Sequence, residues 1–293
     1  MSCSLRNSGR KFAAFLADMV SSARYEVLPT GSIEDKVLEH LSRDRTVTVT
    51  ASPAKGIEAT LSLTERLARA GYHAVPHLAA RMVSGRAELS EICARMREAG
   101  VTTVFVPGGD QDPPAGSYTA ALDLLADLTE LGRPFAEVGI TGYPESHPTI
   151  SDDLTIQSMW DKRQHATHIV SNLSFDPAVI GSWVDRLRAR GVTIPMLLGI
   201  PGPIDRAKLL SMATKIGVGD STRFLAKHKG TFARLAAPGG FTGERFLEQC
   251  APVLARPEAL VTGLHVYTFN QVAETEAWRR EYLDRLTAVG SRG

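Results

Sequence analysis

A carboxylate sits inside an apolar run near the start of the chain, where "RYEVLPT" (24–30) places Glu26 between Tyr25 and Val27. Burying a carboxylate without a partner is strongly disfavoured, so packing alone does not account for Glu26, and a functional role does. Farther on, "YPESHP" (143–148) packs Tyr143, Glu145 and His147 between two prolines. Prolines suit a turn, and they stiffen one that carries usable side chains. Other reactive types stand at the ends of similar apolar runs: Thr50, His77, Asp110, Asn172, Tyr267 and Asn270. Each of these has a bland reading too. His77 can be a hydrogen-bonded core histidine, and Asp110 a turn former with Asp112 beside it. Tyr267 and Asn270 can be a buried tyrosine and a helix N-cap, and spacing alone leaves His147 open. His77, His147 and Asp110 match no strong metal-ligand spacing. "VPGGDQD" offers glycines to a phosphate, but its two aspartates oppose an anion.

The elements that must position these residues alternate regularly. Eight strand candidates run over 24–30, 46–52, 73–80, 102–109, 135–144, 168–175, 195–202 and 263–270. Helical patterns such as 56–71, 88–100 and 176–191 lie between them, and several close at a glycine (Gly71, Gly100, Gly191) placed for a left-handed cap. Strict alternation predicts a parallel sheet, and eight units predict an α/β fold of the (β/α)8 TIM-barrel type. The segment 204–262 predicts extra helices before the last strand. The competing doubly wound sheet would want a G-x-G-x-x-G turn after the first strand, where "PTGSIED" stands instead. The expectation is one barrel domain over residues 1–293, with an N-terminal helix at about 10–22 and the barrel at about 24–290. In such a barrel the C-terminal strand ends line the active site, which puts all of the residues above in one place.

Composition narrows the class. The chain has 293 residues, 43% hydrophobic and 22% charged, with a net charge of +1, so no bulk field attracts nucleic acid or a membrane surface. Cys3, Cys93 and Cys250 form no CxxC pair, which favours a reducing cytoplasm. "KFAAFLADMV" (11–20) reads as an amphipathic helix, since Lys11 and Asp18 interrupt it, and no window is long enough to cross a bilayer. Walker, HExxH and GxSxG motifs are absent. Oligomeric state is not legible.

Taken in order, the strand-end motifs resemble those of the methylenetetrahydrofolate reductase family: "YEVLP", "VTVTAS", "PHL", "GGD", "YPESHP", "SNLSFD", "GIPGP" and "HVYTFN", spanning about residues 24–272. The resemblance implies a barrel that reduces 5,10-methylenetetrahydrofolate to 5-methyltetrahydrofolate with NADH or NADPH, and with FAD as the usual intermediate carrier. It implies that Glu26 is the catalytic acid and that Asp110, Asn172, Phe224 and Tyr267 bind the folate. Asn172 stands where the family usually has glutamine. Thr50, His77, Gly109, Tyr143 and His147 match positions of the flavin pocket or its rim. The chemistry agrees, because protonating N10 opens the five-membered ring to an iminium at N5, and an acid still carrying its proton near neutral pH can supply that proton.

Departures from the pattern bear on the flavin. Gly108 replaces an arginine before the strand-4 "GD", Asp152, Asp153 and Lys162 follow "YPESHP" at unusual spacing, and a small-residue turn reads "QHATH". A diphosphate needs cationic or backbone N–H partners, so these changes predict FAD held weakly or not at all. A folate-binding barrel without catalysis, or a non-redox folate-dependent one-carbon enzyme, are the alternatives.

Overall fold

The computed structural model describes residues 2–144, 152–203 and 242–291. Eight parallel strands follow one another round the sheet: β1 (Arg24–Val27), β2 (Thr46–Val49), β3 (His73–Pro76), β4 (Thr103–Val106), β5 (Glu137–Gly142), β6 (His168–Ser171), β7 (Met196–Pro201) and β8 (Val261–Tyr267). β1 pairs with both β2 and β8, and the β3–β4 seam is joined by a parallel bridge between His77 and Phe105. The Leu78 N–H also donates to the Phe105 carbonyl at 2.8 Å. This is the (β/α)8 TIM barrel that strand–helix alternation predicts.

Around it stand α1 (Ser2–Ser21), α2 (Ile33–His40), α3 (Gly56–Arg69), α4 (Arg86–Glu98), α5 (Ala121–Glu130), α6 (Asp152–Lys162), α7 (Pro177–Ala189), α8 (Gly243–Leu254) and α9 (Val272–Ser291). α1 begins earlier than the expected position near residue 10. Gly71, Gly100 and Gly191 follow α3, α4 and α7 at φ of 93°, 78° and 78°, the left-handed geometry expected of them. The strands are shorter than their apolar runs, because the C-terminal part of each run has already left the ladder to form the mouth. α8 lies within the stretch expected to carry extra helices. Among the described residues, no helix is long and apolar enough to cross a membrane.

Period-two alternation sorts the side chains. Outward residues build the core between strands and helices: Tyr25, Val27, Val47 and Val49 pack with Ile33, Val37, Leu63 and Leu67. Inward residues fill the barrel, where Val75, Phe105, Val170 and Leu197 form a small apolar cluster of their own. Polar groups occupy the strand starts. Arg24 donates to Glu137 Oε2 at 3.0 Å and lies 3.3 Å from His168 Nε2, at the first residues of β1, β5 and β6. Gly139 makes room for this contact, since a Cβ there would stand 2.8 Å from His168 Nε2.

Candidate active site

Glu26 points inward from β1, two residues after Arg24, and its backbone is tied from the neighbouring strand. Thr268, just past β8, donates its hydroxyl to the Glu26 carbonyl at 2.6 Å. Asn270 clasps Leu28, two residues on, with both ends of its amide: its Oδ1 accepts the Leu28 N–H at 2.8 Å, and its Nδ2 donates to the Leu28 carbonyl at 3.1 Å. Asn270 is therefore a brace between the ends of β8 and β1, not the helix N-cap its position suggests. On the outer face, Tyr25 donates to Glu276 of α9, which also holds Arg279 and Arg280. Front and back of β1 are thus both anchored.

The Glu26 carboxyl group, 13% exposed, faces two imidazoles. His265 Nε2 lies 2.9 Å from Glu26 Oε2, and His77 Nε2 lies 3.6 Å from the same oxygen. Three strands, β1, β3 and β8, meet at this oxygen. Burial is the main force lowering the His77 pKa to about 4, with His265 adding to it and Glu26 opposing it, so His77 is neutral near pH 7. His77 Nε2, His265 Nδ1 and Thr50 Oγ1 are buried and have no hydrogen-bond partner among the described residues. Such atoms are uncommon in a finished core and common where a ligand completes the set.

Tyr267 stands two residues after His265 on the same face, the rings meeting edge-on at 5.0 Å. Its hydroxyl donates to the Ser171 carbonyl at 3.1 Å, and Ser171 Oγ accepts the Gly199 N–H at 2.8 Å. Burial, then the charge of Glu26, hold the phenol well above its ordinary pKa, so it remains a neutral donor. A side chain at Gly199 would collide with both partners, its Cβ 2.0 Å from the Ser171 carbonyl oxygen and 2.8 Å from Tyr267 Cε2. Tyr143, at the mouth of β5, also has its phenol pKa raised, by burial and then by Asp110. Asp110 itself is exposed.

The structure therefore brings Glu26, His77 and Tyr267 together, with Tyr143 and Asp110 toward the rim. Asn172 is half-buried and turns its Oδ1 to the Leu173 N–H at 2.8 Å. Gly109 has φ of 88°, and a Cβ there would come 3.0 Å from that of Ala79. Glu145, His147 and Phe224 lie outside the described residues. His265 is the site residue that sequence reasoning passed over. Its signal was present in "GLHVYTF", because a residue two before Tyr267 must share its face. Among the described residues, no group of three or more His, Cys, Asp or Glu side chains is arranged to hold a metal ion.

A family model described as methylenetetrahydrofolate reductase matches residues 36–278, most of the barrel. The chain belongs to that family. Among solved structures it is similar to oxaloacetate acetylhydrolase, at 12% identity and a TM-score of 0.46, over 82% of this chain and 92% of that one. It is also similar to a GH18 chitinase from Pseudoalteromonas aurantia, at 10% identity and a TM-score of 0.49, over 91% and 99%. A third is 2,3-dimethylmalate lyase, at 11% identity and a TM-score of 0.45, over 82% and 95%.

The residues of this family member fit a flavin unevenly. Toward a ring system, Thr50 and His77 offer buried polar atoms without partners among the described residues. Toward a diphosphate, the β4 mouth offers little among the described residues. The charged side chains of 107–120 are Asp110 and Asp112. The neighbouring Arg81 is committed to the Gln111 carbonyl at 2.7 Å and to Asp112 at 2.9 Å. Gly108 leaves open space where a Cβ would stand, with nothing within 4 Å. Lys162, at the end of α6, is half-buried, and burial lowers its pKa. The described part of the site does not fit FAD at its diphosphate end.

Proposed function

We propose that this barrel reduces 5,10-methylenetetrahydrofolate to 5-methyltetrahydrofolate, taking the hydride from NADH or NADPH, with FAD bound weakly or not at all. The observation that carries the proposal is a single carboxyl group, Glu26, hydrogen-bonded by His265 and faced by His77 at 3.6 Å, at the C-terminal mouth of a barrel whose family works on this substrate. Glu26 delivers its proton to N10, the bond from N10 to the bridging carbon breaks, and an iminium forms at N5. Hydride from the dihydronicotinamide ring then adds to that carbon to give the methyl group. The burial of the Glu26 carboxyl group, 13% exposed, limits competition from water for the proton and strengthens each polar contact.

The supporting groups have separate tasks in this reading. Neutral His77 adds hydrogen-bonding capacity without a positive charge that would oppose the cationic iminium, and the neutral phenol of Tyr267 stays a hydrogen-bond donor. Asp110, exposed at the rim, suits the amino and ring N–H groups of a pterin, which are donors. Asn172 can serve the same edge through its amide, and Tyr143 covers the ring bound at the mouth. His147 and Phe224 are proposed, on the family pattern alone, at the cofactor rim and against the folate ring.

The test is anaerobic oxidation of NADH or NADPH by the purified protein on addition of methylenetetrahydrofolate, with a visible spectrum of the same sample. Folate-dependent oxidation without flavin absorbance is the expected result. No oxidation with either nucleotide, while folate still binds, would leave a folate-binding protein or a non-redox enzyme instead.

A further inference from the structure

The two histidines beside Glu26 differ in one respect. His265 is within hydrogen-bond distance of Oε2 at 2.9 Å, whereas His77, at 3.6 Å, is not. The other nitrogen of His265, Nδ1, is buried and has no partner among the described residues. A neutral imidazole carries one N–H, and the two possible placements are not equivalent here. With the proton on Nδ1, a buried donor would have no acceptor among the described residues. With the proton on Nε2, the N–H points at Oε2 and only a lone pair is left unsatisfied. Buried N–H groups without acceptors are rarer than under-used acceptors.

This choice decides where the proton of the acid can go. Were Nε2 an acceptor, a protonated Glu26 could spend its proton on the ring. Both imidazoles approach Oε2, and Oε1 receives no hydrogen bond among the described residues. We propose that His265, held as the Nε2–H tautomer, is a positioning residue that pins Glu26 through Oε2 and leaves the acidic proton on Oε1 for the substrate. This rests on the reductase reading given above.

The step balances. The Oε1–H proton passes to N10 as its bond to the bridging carbon breaks, and the carboxylate that remains keeps the Nε2–H···Oε2 bond, now charge-assisted and stronger. The groups facing His265 are Glu26, Tyr267 edge-on at 5.0 Å, and the imidazoles of His77 and His168. Of these, Glu26 is the one at hydrogen-bond distance.

Two measurements decide the matter. Long-range 1H–15N NMR of the full-length protein at pH 8, with the His265 signals assigned by their loss in His265→Gln, should show a protonated Nε2 and a bare Nδ1. Alongside it, His265→Leu removes the donor, whereas His265→Gln places an amide N–H near the same point. The Leu variant should lose about tenfold or more in kcat, with KM for the folate nearly unchanged, since a misaimed catalytic group costs rate before it costs binding. The Gln variant should recover most of that loss. A proton on Nδ1, or a Gln variant as slow as Leu, overturns the proposal. If the wild type reduces no folate yet shows the Nε2–H tautomer, the reductase reading fails and the pinning of Glu26 stands.

Discussion

Glu276 offers a test of what holds β1 in place. Its carboxylate, 5% exposed, accepts from Arg279 Nε at 2.8 Å, Arg279 Nη2 at 2.9 Å and Arg280 Nε at 2.6 Å, and from the Tyr25 hydroxyl. Arg279 is itself only 8% exposed. Glu276→Gln keeps the shape and removes the charge, so a buried guanidinium loses its counterion. Breaking such a pair from one side costs about 3–5 kcal/mol. The pKa of Glu276 gives the same order. Burial pushes it up, but hydrogen bonds from Arg279, Tyr25 and Arg280 outweigh that and bring it from 4.5 to about 2. A shift of that size corresponds to about 3 kcal/mol. Because the folded pKa is depressed, this stability is complete above pH 4.5 and is lost as the pH falls toward about 2. Urea unfolding followed by circular dichroism should therefore show a gap of about 3–5 kcal/mol between wild type and variant at pH 7. The gap should shrink steadily at lower pH, where protonated Glu276 comes to resemble glutamine. A gap below about 1 kcal/mol at pH 7, the ordinary value for a surface pair, would refute the buried-pair reasoning.

Other perturbations separate the remaining roles. Asp110→Asn should weaken folate binding by about tenfold in a calorimetric titration, the loss expected of one charge-assisted contact; an unchanged affinity returns Asp110 to a turn role. Gly199→Ala puts a Cβ 2.0 Å from the Ser171 carbonyl oxygen, and it should destabilise the barrel by about 1–3 kcal/mol and displace Tyr267. A wild-type melting temperature in that variant would contradict the packing described. Gly108→Arg, whose Cβ meets nothing within 4 Å, should fold normally and bind FAD more tightly than wild type in an equilibrium titration. Submicromolar FAD binding by the wild type would contradict the reading of its diphosphate site.

The barrel was legible because its two periods are. Helical patterns end at glycines where the chain must turn left-handed, and strand runs recur between them, so order and handedness followed directly. Strand ends were less legible. The strand-like run "RYEVLPT" continues to Thr30, yet the ladder stops at Val27, because pairing partners and not hydrophobicity decide where hydrogen bonding ends. β8 begins at Val261, two residues early, since Gly263 looks like a boundary but sits in the sheet with its missing side chain replaced by Leu197.

Within the site, Glu26 stood out because a carboxylate in an apolar run is costly. His265 did not, because a histidine there is unremarkable until its neighbour across the ladder is known. Alternation fixes a face but not a partner 239 residues away. The same holds for Arg24, Glu137 and His168, which meet inside the barrel from strands far apart in sequence.

Comparison of wild type with Glu26→Gln tests the central claim most directly, with 5-methyltetrahydrofolate formed anaerobically from NADH and methylenetetrahydrofolate quantified by mass spectrometry. Loss of a general acid costs about 100- to 10,000-fold, so the variant should bind folate nearly as wild type does and form product at least about a hundredfold more slowly. A Glu26→Gln enzyme that turns over at a near wild-type rate would remove Glu26 from the chemistry, and the account with it.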